Sequence, residues 1–412
     1  MTGGPISVEE RPRPAGSRPA ARVVRDDEHA VEVAHGLASS FAEGAAERDS
    51  KRLLPHQQLR ELSESGLLAI TVPAAFGGAE VRSATLAEVF RVLASADPNI
   101  AQIPQSHFVY LNVLRQVGTP DQQAFFFAHA LAGKRFGNAQ SELGTKSVQE
   151  YRTRLSPHPD GGFVLDGLKH YSTGALFAHW IPVAAKDPQD RVVAVYVEAD
   201  APGVTVTDDW DGMGQRTTAS GSVKLDAVRV PAEHVVPTYR IYEGPQLHGA
   251  HAQLLHAAID VGIARGALTE AAEFVRTRSR AWFESGVEHA SEDPLTIQRF
   301  GELEITTRAA EALLVEAGRA LDTARAGLTD DSAAAASVAV ATAKAFADRA
   351  VIEVTDALFE VSGTRSALRS LNLDRHWRNA RTHTLHDPVR WKIQHIGRFA
   401  LNGTPPPRHG LL

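Results

Sequence analysis

The sequence predicts a mostly α, α+β protein with an amino-terminal helical domain, a middle domain of short strands and a carboxyl-terminal helical bundle. Three observations carry this. From about residue 26 to 134, apolar residues recur at three- and four-residue spacing, the period of helices with one buried face. From about 135 to 243 the chain turns to short β-branched runs broken by Gly, Asp and Pro, the mark of an antiparallel sheet or small barrel. From about 244 to 401 it is rich in Ala, with four long helical stretches and short links, the pattern of a four-helix bundle.

The elements follow in order. Residues 1–25 are rich in Pro, Gly and Arg without apolar periodicity, so a disordered tail is expected. HAVEVAHGLASSFAEGAAERD and LPHQQLRELSESGLLAITVP are amphipathic helices. Gly66 is expected to end the second, and Pro73 to open a turn. LAEVFRVLASADP and PQSHFVYLNVLRQVG continue the helical domain. In the middle domain, SVKLDAVRV predicts Val223, Leu225 and Val228 facing a core, with Lys224 and Asp226 facing out. Beyond it, HAQLLHAAIDVGIARGALTEAAEFVRTRSRAW predicts one long helix of about 30 residues, hence about 45 Å. Two further long helices follow, the later one stopped by Gly363, and DPVRWKIQHIGRFALNG predicts the last. Residues 402–412 read as a second irregular tail.

Bulk properties narrow the function. The formal net charge is -6 and the pI about 6.3, so nucleic acid and anionic membranes are not expected partners. With no cysteine, disulfides, thiolate metal sites and a cysteine nucleophile are excluded. No apolar run reaches membrane-spanning length, and no signal-peptide core appears, so the cytoplasm is the expected address. Phosphate-loop, dinucleotide and nucleophile-elbow fingerprints are missing.

What remains is a set of histidines and arginines. His383 and His386 sit three apart, followed by Asp387 and Pro388. They lack a visible third ligand, so no metal is expected. Asp387 is expected to cap the last helix, with Pro388 at its first position. His386 then precedes a positive helix end, which favours a neutral, proton-accepting imidazole. Arg276, Arg278 and Arg280 read as cations at a helix carboxyl end or as a phosphate clamp. His248, His251 and His256 read as polar groups at a helix start.

Five segments in order resemble the acyl-CoA dehydrogenase family of flavoproteins: LPHQQLRELSESGLLAITVPAAFGG, GNAQSELGTK, DGLKHYSTGALFAHW, GMGQRTTASGSVKLDAVRVPAEHV and VGIARGALTEAAEFVRTR. The resemblance implies a middle antiparallel β-barrel, a carboxyl-terminal four-helix bundle, a flavin between them and a homotetramer. It implies flavin contacts from Asn138, Ala139, Ser141, Ser172 and Thr173. Arg278 matches the family's phosphate-facing arginine, offered by a neighbouring subunit. Two departures redirect the chemistry. Where the dehydrogenases hold a glutamate base, this chain has His386, and the segments that hold the adenylate half of FAD are eroded. The chain therefore resembles the flavin-dependent monooxygenase branch, that of dibenzothiophene monooxygenase and the sulfur-acquisition oxidoreductases. That implies reduced FMN as co-substrate, with FAD the alternative. It also implies a separate NAD(P)H flavin reductase and transfer of one oxygen atom from O2, through a flavin hydroperoxide, to a small organosulfur, amine or aromatic substrate. His386, Ser172 and Asn138 are the expected catalytic groups, and His107, Tyr110 and His383 the expected substrate side. The competing expectation is an FAD dehydrogenase acting on a thioester, with its base placed elsewhere; Glu270 and Glu360, on bundle helices, read as solvated or structural groups.

Overall fold

The computed structural model describes residues 21–147 and 149–412; residues 1–20 of the expected disordered tail lie outside them. The last residues of that stretch pack onto the protein: Arg22 N–H donates to the Glu64 carbonyl at 2.9 Å, and Val24 is buried.

Seven helices build the amino-terminal third. They are α1 (Asp27–Ala42), α2 (Ala45–Lys51), α3 (His56–Glu64), α4 (Ser83–Ala96), α5 (Pro98–Gln102), α6 (Gln105–Val117) and α7 (Pro120–Leu131). Their ends follow local chemistry. Asp26 caps α1 by accepting from His29 N–H at 2.8 Å, and Thr119 with Gln122 forms a capping box for α7. Gly66 ends the α3 region at φ +86°; a Cβ there would lie 2.1 Å from the Arg22 carbonyl oxygen, so only glycine fits.

The strands are β1 (Arg154–Pro157), β2 (Phe163–Lys169), β3 (Trp180–Lys186), β4 (Val192–Glu198), β5 (Val204–Thr207), β6 (Ser222–Val230) and β7 (Val235–Val236). The expected antiparallel barrel is corrected to an open, mixed sheet in the order β5-β6-β2-β1-β3-β4-β7. β1 and β3 run parallel, and residues 136–139 also lie parallel beside β3. Alternation in a sequence reports which side chains face a core. It does not report partners, which depend here on the stretch 170–179 carrying the chain past β1 before β3 begins. Within β6 the alternation held: Val223, Leu225 and Val228 are buried while Lys224 and Asp226 are exposed. The three-residue step to Val228 is a bulge, where Ala227 takes φ +51° and donates its N–H to Asp166 Oδ1 at 2.8 Å.

The carboxyl-terminal part holds α8 (His248–Arg278), α9 (Pro294–Ala326), α10 (Asp330–Ser362), α11 (Asp374–His383) and α12 (Val389–Asn402). Three helices are long and the last two are short, so the expected four-helix bundle is not separable from the rest. Helix α4 packs into the same core: Leu86, Phe90 and Leu93 share one apolar cluster with Leu254 and Val261 of α8, Leu314 of α9 and Val351 of α10. Small residues permit this closeness. A Cβ on Gly262 would lie 2.5 Å from the Arg91 carbonyl oxygen, and one on Gly266 would lie 2.4 Å from that of Ser95. Such fit between helices contributes roughly 1.5–3 kcal/mol for each large side chain it buries. Gly363 ends α10 as predicted. The last residues return to the protein, with Leu412 buried and Lys392 Nζ donating to the Leu411 carbonyl at 3.0 Å. No helix among the described residues is long and apolar enough to cross a membrane.

Candidate functional site

The break between α11 and α12 sets the site. Pro388 has no N–H to return to a preceding carbonyl and disfavours a helical residue before it, so residues 384–388 leave helical geometry. The expected cap is corrected here. Helix α12 begins at Val389 without a side-chain cap, which puts Asp387 one residue too early. Its carboxylate instead lies 2.9 Å from buried Lys392 Nζ.

Four elements converge on this break. His383 is fully buried, with Nδ1 2.5 Å from Asp260 Oδ1. Its Nε2 lies 3.1 Å from His256 Nδ1 and 3.1 Å from Gln102 Oε1. The other end of the Gln102 amide is 3.2 Å from His386 Nε2. His386 Nδ1 donates to the His383 carbonyl at 2.9 Å, which leaves Nε2 to the Gln102 amide. His256 and Asp260 share a face of α8 because they lie one turn apart. Lys344 of α10 reaches Asp260 Oδ2 at 2.9 Å and also pairs with Asp348.

Charge in this cluster is arranged by burial. Desolvation pushes His383 and His256 well below the usual histidine range, so both are neutral. Burial also raises Asp260, partly opposed by Lys344. Asp348 is pushed up to about 7 by burial and the neighbouring Asp260. Lys344 is held above its ordinary value, because the two carboxylates outweigh its desolvation. His386 is lowered mainly by the protein crowded around it, against the His383 carbonyl, which favours its protonated form. The residue nevertheless keeps exposed surface. Ring nitrogens of His256, His383 and His386 lie within 4.8 Å of one another. The close His256–His383 contact and the intervening Gln102 amide make this a hydrogen-bonded cluster.

The segments expected to face a flavin, and the stretch 215–217, hold buried polar groups without partners. Ser172 is fully buried and its hydroxyl has no partner. The Gln215 amide and the Thr217 hydroxyl are orphaned in the same way. Gln215 is tied to the histidine side, because its N–H donates to Asn379 Oδ1 of α11 at 2.7 Å. Thr217 N–H donates to Asn99 Oδ1 at 3.2 Å, one turn of α5 before Gln102. Buried polar atoms are rarely left unsatisfied, so these three groups fit the polar edge of a flavin. Thr173 does not share that freedom: its hydroxyl is 2.7 Å from Ser220 Oγ. Asn138 Oδ1 accepts from Tyr110 Oη at 3.4 Å. Ala139 spends its N–H on the Pro182 carbonyl at 3.1 Å, and the Ser141 carbonyl accepts from His170 N–H at 2.9 Å.

Other expected residues stand apart. His107 is buried, with Nε2 2.6 Å from the Leu68 carbonyl and Nδ1 accepting from Phe136 N–H at 3.2 Å. Burial pushes it down to about 4. Arg278 is exposed at the end of α8, about 33 Å from His256 along one helix. Arg276 pairs with Glu273 at 2.8 Å. Glu270 holds Arg375 and His376, and these bonds outweigh its burial to keep it at about 2. Glu360 pairs with Arg299 at 3.0 Å on the surface. Glu270 therefore lacks the raised value of a general base. Sequence reasoning missed Gln102, Asp260, Lys344 and Asp348. The available signal was polar residues at helical spacing inside apolar faces, as in VATAKAFADRAVIE.

Comparison with known proteins agrees along nearly the whole chain. The acyl-CoA dehydrogenase amino-terminal, middle and carboxyl-terminal domain models match residues 26–134, 138–228 and 254–391. Dibenzothiophene monooxygenase of Rhodococcus erythropolis is 33% identical, over 98% of this chain and 99% of its own. The probable FMNH2-dependent monooxygenase SfnC of Pseudomonas putida is 34% identical, over 92% and 96%. The FMN-bound crystal structure of TdsC from Paenibacillus sp. A11-2 superposes with a TM-score of 0.88 at 33% identity, covering 93% of this chain and 100% of TdsC.

Proposed function

This chain belongs to the acyl-CoA dehydrogenase family, and on that premise we propose that it transfers one oxygen atom from O2 to a small organosulfur compound. It is a flavin-dependent monooxygenase that uses reduced FMN, and a separate flavin reductase supplies that FMN. The observations that support this reading are the exposed, hydrogen-bonded His386 at the break before α12 and three buried polar groups left without partners, Ser172, Gln215 and Thr217.

When bound, reduced FMN supplies the two electrons that split O2 between product and water. The chain's residues do the rest. The Ser172 hydroxyl donates to the bound flavin edge, and the Gln215 amide and Thr217 hydroxyl complete its polar lining. Tyr110 orients the Asn138 amide from behind. His386 holds and moves a proton at Nε2. The packed wall that includes His107 and Phe136 excludes water. Arg278 stands too far from its own cleft to serve it, so the flavin phosphate is met by Arg278 of a second copy, within a homotetramer.

The test is turnover under 18O2 with FMN, NADH and a flavin reductase, against a panel of sulfides, sulfoxides and sulfones. One 18O atom in an oxygenated sulfur product is expected. Oxidation of NADH with all oxygen recovered as hydrogen peroxide, across the panel, would overturn the reading. Anaerobic bleaching of bound flavin by an acyl-CoA would support the dehydrogenase reading instead.

A further inference from the structure

We propose that Asp260 and Gln102 set the protonation state of His386. Asp260 holds the His383 proton on Nδ1, and the Gln102 amide transmits that choice by turning its oxygen toward His386 Nε2. The inference rests on His386 being the proton-handling group of the cleft.

The argument is one of donors and acceptors. The Gln102 amide bridges two imidazole nitrogens, His383 Nε2 at 3.1 Å and His386 Nε2 at 3.2 Å. One end of an amide donates and the other accepts, and both orientations give the same heavy-atom positions. The two facing nitrogens must therefore differ: if one carries a proton, the other presents a lone pair. Asp260 decides which. It receives Lys344 Nζ on Oδ2 and His383 Nδ1 on Oδ1. Asp348 Oδ2 has no partner whereas both Asp260 oxygens are hydrogen-bonded, so of the two carboxylates Asp260 holds the negative charge. An ionised Asp260 requires a proton on His383 Nδ1, which leaves Nε2 as a lone pair. The amide is then turned opposite to the orientation in the structure, with its NH2 toward His383 Nε2, which also lies 3.1 Å from His256 Nδ1 and accepts from both, and its oxygen toward His386 Nε2, where a proton is favoured. His386 Nδ1 is already committed as donor to the His383 carbonyl. His386 is thereby equipped to give a proton to the cleft from Nε2 and to take one back.

Every charged or titratable group facing this chain is accounted for: His256 on α8, Lys344 and Asp348 on α10, and Asp387 and Lys392 at and beyond the break. Lys344 opposes protonation of His386, whereas Asp260 and Asp387 favour it. Removing the Asp260 charge leaves the Lys344 effect unopposed on that side.

The experiment uses flavin-free protein labelled with 15N-histidine, followed by two-bond 1H–15N correlation from pH 4.5 to 9. In the wild type, His383 is expected as the Nδ1–H tautomer throughout. In Asp260→Asn that preference is lost, and the His386 titration midpoint falls by about one pH unit, a tenfold change. Gln102→Leu separates coupling from folding: His383 keeps its Nδ1–H tautomer while the His386 midpoint still falls. Turnover in both variants shifts its pH profile by the same amount. A wild-type His383 protonated on Nε2, or a His386 midpoint unmoved in Gln102→Leu, overturns the proposal. Because the spectra need no flavin or substrate, that failure is distinct from loss of the monooxygenase reading, which His386→Ala with full turnover would signal.

Discussion

His386 and Ser172 differ in what they cost the empty protein, and that difference makes their roles separable. His386 is hydrogen-bonded and open to the cleft, so His386→Ala is expected to leave folding intact and lower turnover by roughly 100-fold or more. Steady-state kinetics with a reductase, together with a peroxide assay, check this. Ser172 is a buried hydroxyl without a partner. Ser172→Ala therefore should not destabilise the flavin-free protein, while weakening FMN about fivefold to tenfold, the loss of one hydrogen bond. Thermal unfolding with and without FMN reads both halves of that expectation. At this scale the sequence exposed His386 through its place after a recognisable framework. It hid Asp260 and Gln102, because a buried acid and an amide gain meaning only from partners more than 80 residues away.

Among the elements, close approaches carry predictions that no propensity contains. A Cβ on Gly214 would lie 1.9 Å from the Arg378 carbonyl oxygen of α11. Gly214→Ala must push α11 and His383 away, with an expected loss of about 1–3 kcal/mol and a larger loss of turnover; urea unfolding beside kinetics distinguishes the two. Lys169 at the end of β2 is wholly buried and pairs with Glu142 at 2.7 Å. Lys169→Met removes the cation beside that carboxylate, which keeps its Arg152 and Thr153 donors, and is expected to cost about 3–5 kcal/mol, read by urea unfolding. Helices were legible because their apolar period and stops are local, as Gly66 and Gly363 show. The parallel pairing of β1 with β3 was not, because strand partners are fixed by connections and not by alternation. The short α12 was overread for a similar reason: Asp387–Pro388 marks a helix start, but buried Lys392 competes for the carboxylate.

For the molecule as a whole, buried neutral histidines set an acid limit. His107 is pushed down to about 4 and His251 to about 3, in both cases chiefly by burial. Unfolded, each titrates near 6.5. The unfolded state then binds more protons below that pH, so their contribution is fully present above about pH 6.5. It is lost as pH falls through 6.5, ending near 4 for His107 and nearer 3 for His251. Each is worth at most roughly 3–5 kcal/mol. The melting temperature should fall steadily from pH 7 to 4.5, and His107→Gln should flatten that slope; an unchanged slope would show that His107 carries none of it.

The length of α8 has a consequence of a different kind. One helix carries His256 at its beginning and Arg278 at its far end, so under the role proposed for Arg278 a single polypeptide would serve two different sites. Two genetic lesions, His386→Ala in one copy and Arg278→Ala in another, should each silence a strain that carries it alone. Expressed together, they should complement, because some clefts inherit an intact half from each parent.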